Sequence, residues 1–162
     1  MGEVVFPTES HKRFAPFVGT FAAEVKLWMG PGDPHVTTGV MTNTMELNNQ
    51  FLQQVYEGDP SAGPFPEFKG RGYWGFNSVT KKYEGFWIDI ASTIMMNETG
   101  DVNSDGNIWT MTGEFNNPQT GQPMKKKSVI TVIDDDHHKM EQFMDGPNGE
   151  FKTMEINYTR KQ

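Results

Sequence analysis

From Thr20 onward, apolar and polar residues alternate along the chain with a period of two. Ten runs stand out: Thr20–Trp28, Val36–Leu47, Phe51–Glu57, Glu67–Phe76, Lys82–Ile90, Thr93–Glu98, Asn107–Phe115, Met124–Ile133, Lys139–Met144 and Phe151–Arg160. They are rich in β-branched and aromatic residues, as a pleated, half-buried surface requires, so each predicts a strand. The gaps carry turn chemistry, among them Gly30-Pro31-Gly32-Asp33-Pro34, Asn48-Asn49, Asn103-Ser104-Asp105-Gly106 and Gly146-Pro147-Asn148-Gly149. Only Thr8 to Val18 departs from this period. Phe14 and Phe17 bracket one face of a short helix there, Pro16 limits it to a turn or two, and Gly19 stops it.

No stretch between the strands has helical spacing, which excludes parallel crossovers and leaves sequential antiparallel hairpins. Closing such a sheet into an up-and-down barrel removes both of its edges. A two-sheet sandwich is the competing solution. A barrel of more than about eight strands encloses more space than its own side chains readily fill, so a ligand cavity is the physical expectation. The expected architecture is all-β: one domain over residues 1–162, with segment 1–18 supplying a short plug helix and residues 19–160 the barrel.

Composition narrows the class of partner. The chain has 162 residues and no cysteine, which removes disulfides, thiolate metal sites and thiol catalysis. Fourteen Lys and Arg against 21 Asp and Glu give a net charge of −7, unfavourable for nucleic acid and for anionic lipid surfaces. The apolar runs are too short to span a bilayer, and the polar start, Met1 to Lys12, does not read as a signal peptide. Met1-Gly2 lacks the Ser or Thr that myristoylation wants at the sixth place, where Phe6 stands. A soluble, acidic, cytoplasmic domain is expected. Twelve Phe, four Trp, four Tyr and eleven Met are a heavy load of large side chains, suited to filling a core or to lining a cavity for an apolar guest.

Three short motifs invite chemistry. Gly70-Arg71-Gly72-Tyr73-Trp74-Gly75 matches the dinucleotide-binding pattern, but the helix that would hold a pyrophosphate is missing, so it reads as a strand thinned by glycines. Asp101 to Gly106 matches the first half of a calcium loop, yet the twelfth position is Thr112 and no helical pattern flanks it; a hairpin tip explains the same letters. In Asp134-Asp135-Asp136-His137-His138, alternation places Asp134, Asp136 and His138 on one face, a weak arrangement for a divalent ion, whereas a solvated turn needs no ligand. His11 and His35 lie apart, in the opening helix and a Gly/Pro loop. No metal site is expected, and no nucleophile elbow, zinc-protease helix or P-loop is present.

Asp89 is the most informative carboxylate, set inside the apolar run Phe86-Trp87-Ile88-Asp89-Ile90. A charge there must be paired, protonated or solvated by a cavity. A hairpin register placing Arg71 opposite Asp89 and Tyr73 opposite Trp87 would gather a polar anchor in an aromatic pocket. Arg71, Tyr73, Trp87 and Asp89 are therefore the expected ligand contacts, with a structural ion pair as the alternative. The favoured function is non-catalytic binding of a small hydrophobic or amphipathic molecule. The alternative is an enzyme using the same cavity, with Asp89 as general acid or base and Arg71 stabilising negative charge. A third reading is a barrel whose exterior mediates assembly; monomer and homodimer both stay open.

The helix running into Gly19-Thr20-Phe21, the stretch from Tyr73 to Trp87 (Tyr-Trp-Gly-Phe-Asn, then Lys-Tyr, then Trp-Ile-Asp) and the closing Ile156-Asn157-Tyr158-Thr159-Arg160 together resemble a known family. It is the bacterial domain of unknown function number fifteen seventy-nine, placed among the calycins, the lipocalin-like β-barrels. The resemblance runs from about Lys12 to Arg160. It implies that Gly19 and Arg160 close the barrel base, the Arg stacking over an aromatic ring, here Phe21 where Trp is usual. It implies a capacity for small apolar molecules but supplies no activity. The related nitrobindin barrels bind haem through a histidine near the C-terminus; here none follows His138, and although Tyr158 can ligate ferric iron, no cofactor is expected.

Overall fold

A computed structural model describes residues 6–61 and 65–162. Met1-Gly2 and the first residues of the polar N-terminal stretch lie outside the described residues. The alternating runs form β1 (Gly19–Leu27), β2 (His35–Glu46), β3 (Phe51–Gly58), β4 (Lys69–Asn77), β5 (Lys82–Asp89), β6 (Met96–Val102), β7 (Ile108–Asn116), β8 (Pro123–Val132), β9 (His137–Gly146) and β10 (Gly149–Arg160). Each pairs antiparallel with its chain neighbours, and β1 pairs with β10 to close the barrel. Closure rules out the sandwich.

Two expectations shift. The expected helix is two short pieces, α1 (Glu9–Lys12) and a 3₁₀ turn, α2 (Ala15–Phe17), because Pro16 sits in the first turn of the second piece. The sixth strand starts three residues later than expected and runs on through Gly100 to Val102, since Ser92 to Met95 complete the turn after Asp89.

The side-chain period of two sends even positions of β4 inward, so Gly70, Gly72 and Trp74 face the interior and Arg71 and Tyr73 face out. The outer wall is charged. Lys152 holds Glu141 at 2.6 Å and Glu155 at 2.8 Å, and Lys127 holds Glu150 at 2.7 Å. Among the described residues, no helix is long and apolar enough to cross a membrane.

Up-and-down topology gives the barrel two unlike ends. At one end α1 and α2 fold across the opening, and Phe14 and Phe17 enter it among Leu52, Trp74, Tyr83, Trp109, Met111 and Ile130. Phe14 stacks on Trp109 with centroids 5.5–5.6 Å from both Tyr83 and Trp109. Burying such a ring contributes about 1.5–3 kcal/mol. The plug is tied down by Tyr83, whose hydroxyl donates to the Ser10 carbonyl (2.7 Å), and by Asn43, which donates to the Phe17 carbonyl (2.9 Å). No such element covers the opposite mouth, formed by the β1–β2, β3–β4, β5–β6, β7–β8 and β9–β10 loops, among the described residues.

Candidate functional site

The closed end is sealed by the residues that the family resemblance names. Arg160 lies over the Phe21 ring, its guanidinium carbon 4.7 Å from the centroid. It donates to three carbonyls: Val18 (2.7 Å), Pro16 (3.3 Å) and Asp135 (3.0 Å). Gly19 has φ +134°, and a Cβ there would collide with the Arg160 guanidinium, so both backbone and space call for glycine.

Just inside that seal is His138. It stacks on Tyr158 (4.5 Å, 21°) and meets Phe21 and Phe17 edge-on at 4.6 and 5.1 Å. Burial, and then the Arg160 charge, push its pKa down to about 4, so the ring is neutral near pH 7. Burial also raises the Tyr56 hydroxyl to about 12 and moves Tyr158 upward. His138 therefore belongs to the barrel base. It does not share a metal-binding face with Asp134 and Asp136, as alternation had suggested. Asp134 instead bonds His137 (2.8 Å), which lowers the Asp134 pKa, and Asp136 lies 3.5 Å from Arg160. Asn103 closes the turn that matches the first half of a calcium loop, its side-chain oxygen accepting from the Asn107 and Ile108 amides. Among the described residues, no group of three or more His, Asp or Glu could hold a metal ion.

The β4–β5 register is displaced by one residue from the expected one. Gly70 faces Asp89, Arg71 faces Ile88, Gly72 faces Trp87 and Tyr73 faces Phe86. The cause is the Trp87 indole, which lies across the inner face of β4, where a Cβ at Gly70 or Gly72 would strike it. Glycines at both positions leave that room, so Trp87 and Asp89 point inward and Arg71 and Tyr73 outward. Arg71 pairs with Glu57 (2.7 Å) on the outer wall. The Tyr73 hydroxyl donates to Glu46 (2.9 Å), which raises its pKa, and accepts from Gln53 (2.9 Å). The four expected contacts thus split into two pairs on opposite faces of the wall.

Asp89 organises the mouth. One oxygen accepts from Trp87 Nε1 (2.9 Å) and the other from the Ala91 amide (2.9 Å), fixing the indole and starting the β5–β6 turn. Beyond Trp87 the inner wall of this half carries Met96, Met124, Met144 and Met154, all half-buried, together with Val25 and Leu27. In the plugged half, inward Trp109, Met111 and Leu52 are fully buried, with Met45, Phe76 and Met140 partly buried around them.

Two further inward residues carry charge. Lys126 lies opposite Gly113 and Met144, in phase with Ser128 and Ile130, and its side chain is 7% exposed. Glu98 lies opposite Gly85 and is 11% exposed. Their charged atoms stand 3.6 Å apart. The available signal is the alternation Met124, Lys126, Ser128, Ile130, in which Lys126 takes an apolar phase; the flanking Lys125 and Lys127 disguise it as a solvated basic run.

Two depressions of about 500 and 390 Å³ indent the outer wall. One lies across β7–β10 among Glu114, Lys125, Lys126, Lys127, Asp145 and Glu150, the other across β1, β2 and β10 among Glu24, Asp59 and Lys161. Their charged linings do not suit an apolar guest.

Ten antiparallel strands in chain order, closed between the first and the last and plugged at one end, define a calycin-like β-barrel. Similar folds include Rv2717c from M. tuberculosis, at 14% identity and TM-score 0.68 over 96% of this chain and 99% of that one. They also include the S-type phycobiliprotein lyase CPES from Guillardia theta, at 11% identity and TM-score 0.62 over 95% and 92%. At these identities the likeness is one of fold. No curated protein matches the chain by sequence. The chain belongs to the family described as protein of unknown function (DUF1579), whose profile matches residues 6–160.

Proposed function

We propose that the protein binds a small apolar or amphipathic molecule, without catalysis, in the uncovered half of its barrel. The observation that carries this reading is the contrast along the inner wall. Trp87, Met96, Met124, Met144 and Met154 are only half-buried, although they point to the barrel axis, while the plugged half encloses Phe14, Leu52, Trp109 and Met111 completely. Large apolar side chains left half-wet inside a barrel gain free energy when a guest displaces water, at about 25 cal/mol per Å² of apolar surface. Methionine adapts its shape to such guests. Trp87, held by Asp89, supplies a fixed aromatic wall, and these two are the proposed contacts from β5.

Native mass spectrometry of the purified protein tests the reading directly. A reproducible extra mass that disappears on denaturation identifies a captured ligand. Titration with apolar fluorophores, read through indole emission, tests the same site. A protein that is mass-clean and takes up no apolar probe at the mouth refutes the reading.

A further inference from the structure

The Lys126–Glu98 pair is the most buried ion pair among the described residues. On the outer wall, Lys–carboxylate pairs range from hydrogen-bond distance, as Lys152 with Glu141 at 2.6 Å, to open pairs such as Lys69 with Glu57 at 3.9 Å, and there water can complete what the partners leave unmade. The inner pair stays open at 3.6 Å, although burial makes an unmade hydrogen bond far more costly there. Among the described residues, Glu98 Oε2 is enclosed and has no hydrogen-bond partner. Among them too, the Lys126 ammonium, with three donors, has the Met96 sulfur at 3.9 Å as its one hydrogen-bond acceptor. The inner wall thus presents a donor and an acceptor side by side, both short of partners and both pointing into the half of the barrel assigned above to a ligand.

We infer that this pair recognises the polar end of the guest, and that the end is neutral and carries both a donor and an acceptor, as a hydroxyl or a carboxamide does. The inference rests on the proposed binding role and narrows its ligand class. The charge balance decides the type of group. A carboxylate drawn to Lys126 meets Glu98 at nearly the same distance, and an ammonium drawn to Glu98 meets Lys126, so each loses about what it gains while shedding its hydration. A hydroxyl accepts from Lys126 and donates to Glu98 Oε2 at once, completing both groups without adding charge. The body of such a guest lies along Met96, Met144 and Trp87.

The experiment is a titration with amphiphiles of one chain length that differ only at the end: a medium-chain alcohol, the primary amide, the carboxylate, the alkylammonium and the plain alkane. Binding is read from indole emission and confirmed by calorimetry. The alcohol and the amide are expected to bind at least tenfold more tightly than the charged members and the alkane. In a K126M/E98M double variant, which replaces the pair by apolar groups of similar size and so preserves the fold, that preference is expected to vanish while alkane binding persists. Circular dichroism and a thermal melt establish that the variant is folded. Equal binding of all ends, preference for the carboxylate or ammonium, or an unchanged preference in the double variant each overturn the inference while leaving apolar binding standing. Failure of every amphiphile, the alkane included, overturns the binding role and the inference with it.

Discussion

The indole of Trp87 occupies the space that a Cβ on Gly70 would need. One glycine in β4 therefore fixes the pose of one tryptophan in β5, and Asp89 locks it from the far side. A G70A variant must push the ring off its rotamer or bow the strand. Overpacking of this kind costs about 1–3 kcal/mol. The expected outcome is a lower denaturation midpoint together with a shifted indole emission maximum, measured in the same urea titration. Unchanged emission would show that the ring does not depend on Gly70.

His138 predicts a pH dependence with a definite sign. Its folded pKa, about 4, lies below the ordinary 6.5, so between these values the unfolded chain holds a proton that the folded chain does not. Its contribution is complete above pH 6.5 and is lost as pH falls towards 4, by about 3 kcal/mol in all. His11, also lowered by burial, acts with the same sign. Asp134, Glu141 and Glu155, lowered by their partners, add their losses only below the ordinary carboxylate range. Urea midpoints between pH 7 and pH 5 should therefore fall in the native protein and fall less in H138F.

Arg160 predicts two linked effects. Replacing it by Gln strands the carbonyls of Val18, Pro16 and Asp135 and removes the cation from the Phe21 face, a loss of about 2–4 kcal/mol. The same change removes a positive charge near His138 and raises its titration midpoint, readable by NMR. Loss of stability without that rise would separate the seal from the electrostatics of the base.

Phe14 tests the plug. Truncation to Ala removes a wholly buried ring stacked on Trp109, and about 3–5 kcal/mol is expected to go with it. Because the guest is assigned to the other half of the barrel, affinity for an apolar probe should change little in F14A while the melting temperature drops. A large parallel loss of affinity would place the ligand beneath the plug.

The barrel was legible because its evidence is local: alternation, turn residues and the lack of helical spacing act over a few residues each. The β4–β5 register was not. It depends on Trp87 claiming the room over Gly70 and Gly72, and no count along either strand separates that register from its one-residue neighbour. Asp89 is legible in the sequence because a lone carboxylate interrupts an apolar run. Lys126 obeys the same rule but sits between two lysines that face solvent, so its burial emerges only once the strand's inner phase is known. Glu98 is harder still, because β6 alternates weakly and its partner stands two strands away.

Among the described residues, every ladder but one joins strands consecutive in the chain, the exception being β1 with β10. The refolding chain can zip hairpin by hairpin at small entropic cost, but the final seam must bring its two ends together across nearly the whole polymer. Until then both edge strands stand open and adhesive. Arg160, paired with Phe21 and clasping the segment just before β1, sits on that seam. The speed with which the ring shuts, and the length of time its edges are exposed to other chains, are therefore decided at the base, at the end opposite the rim proposed to admit a guest.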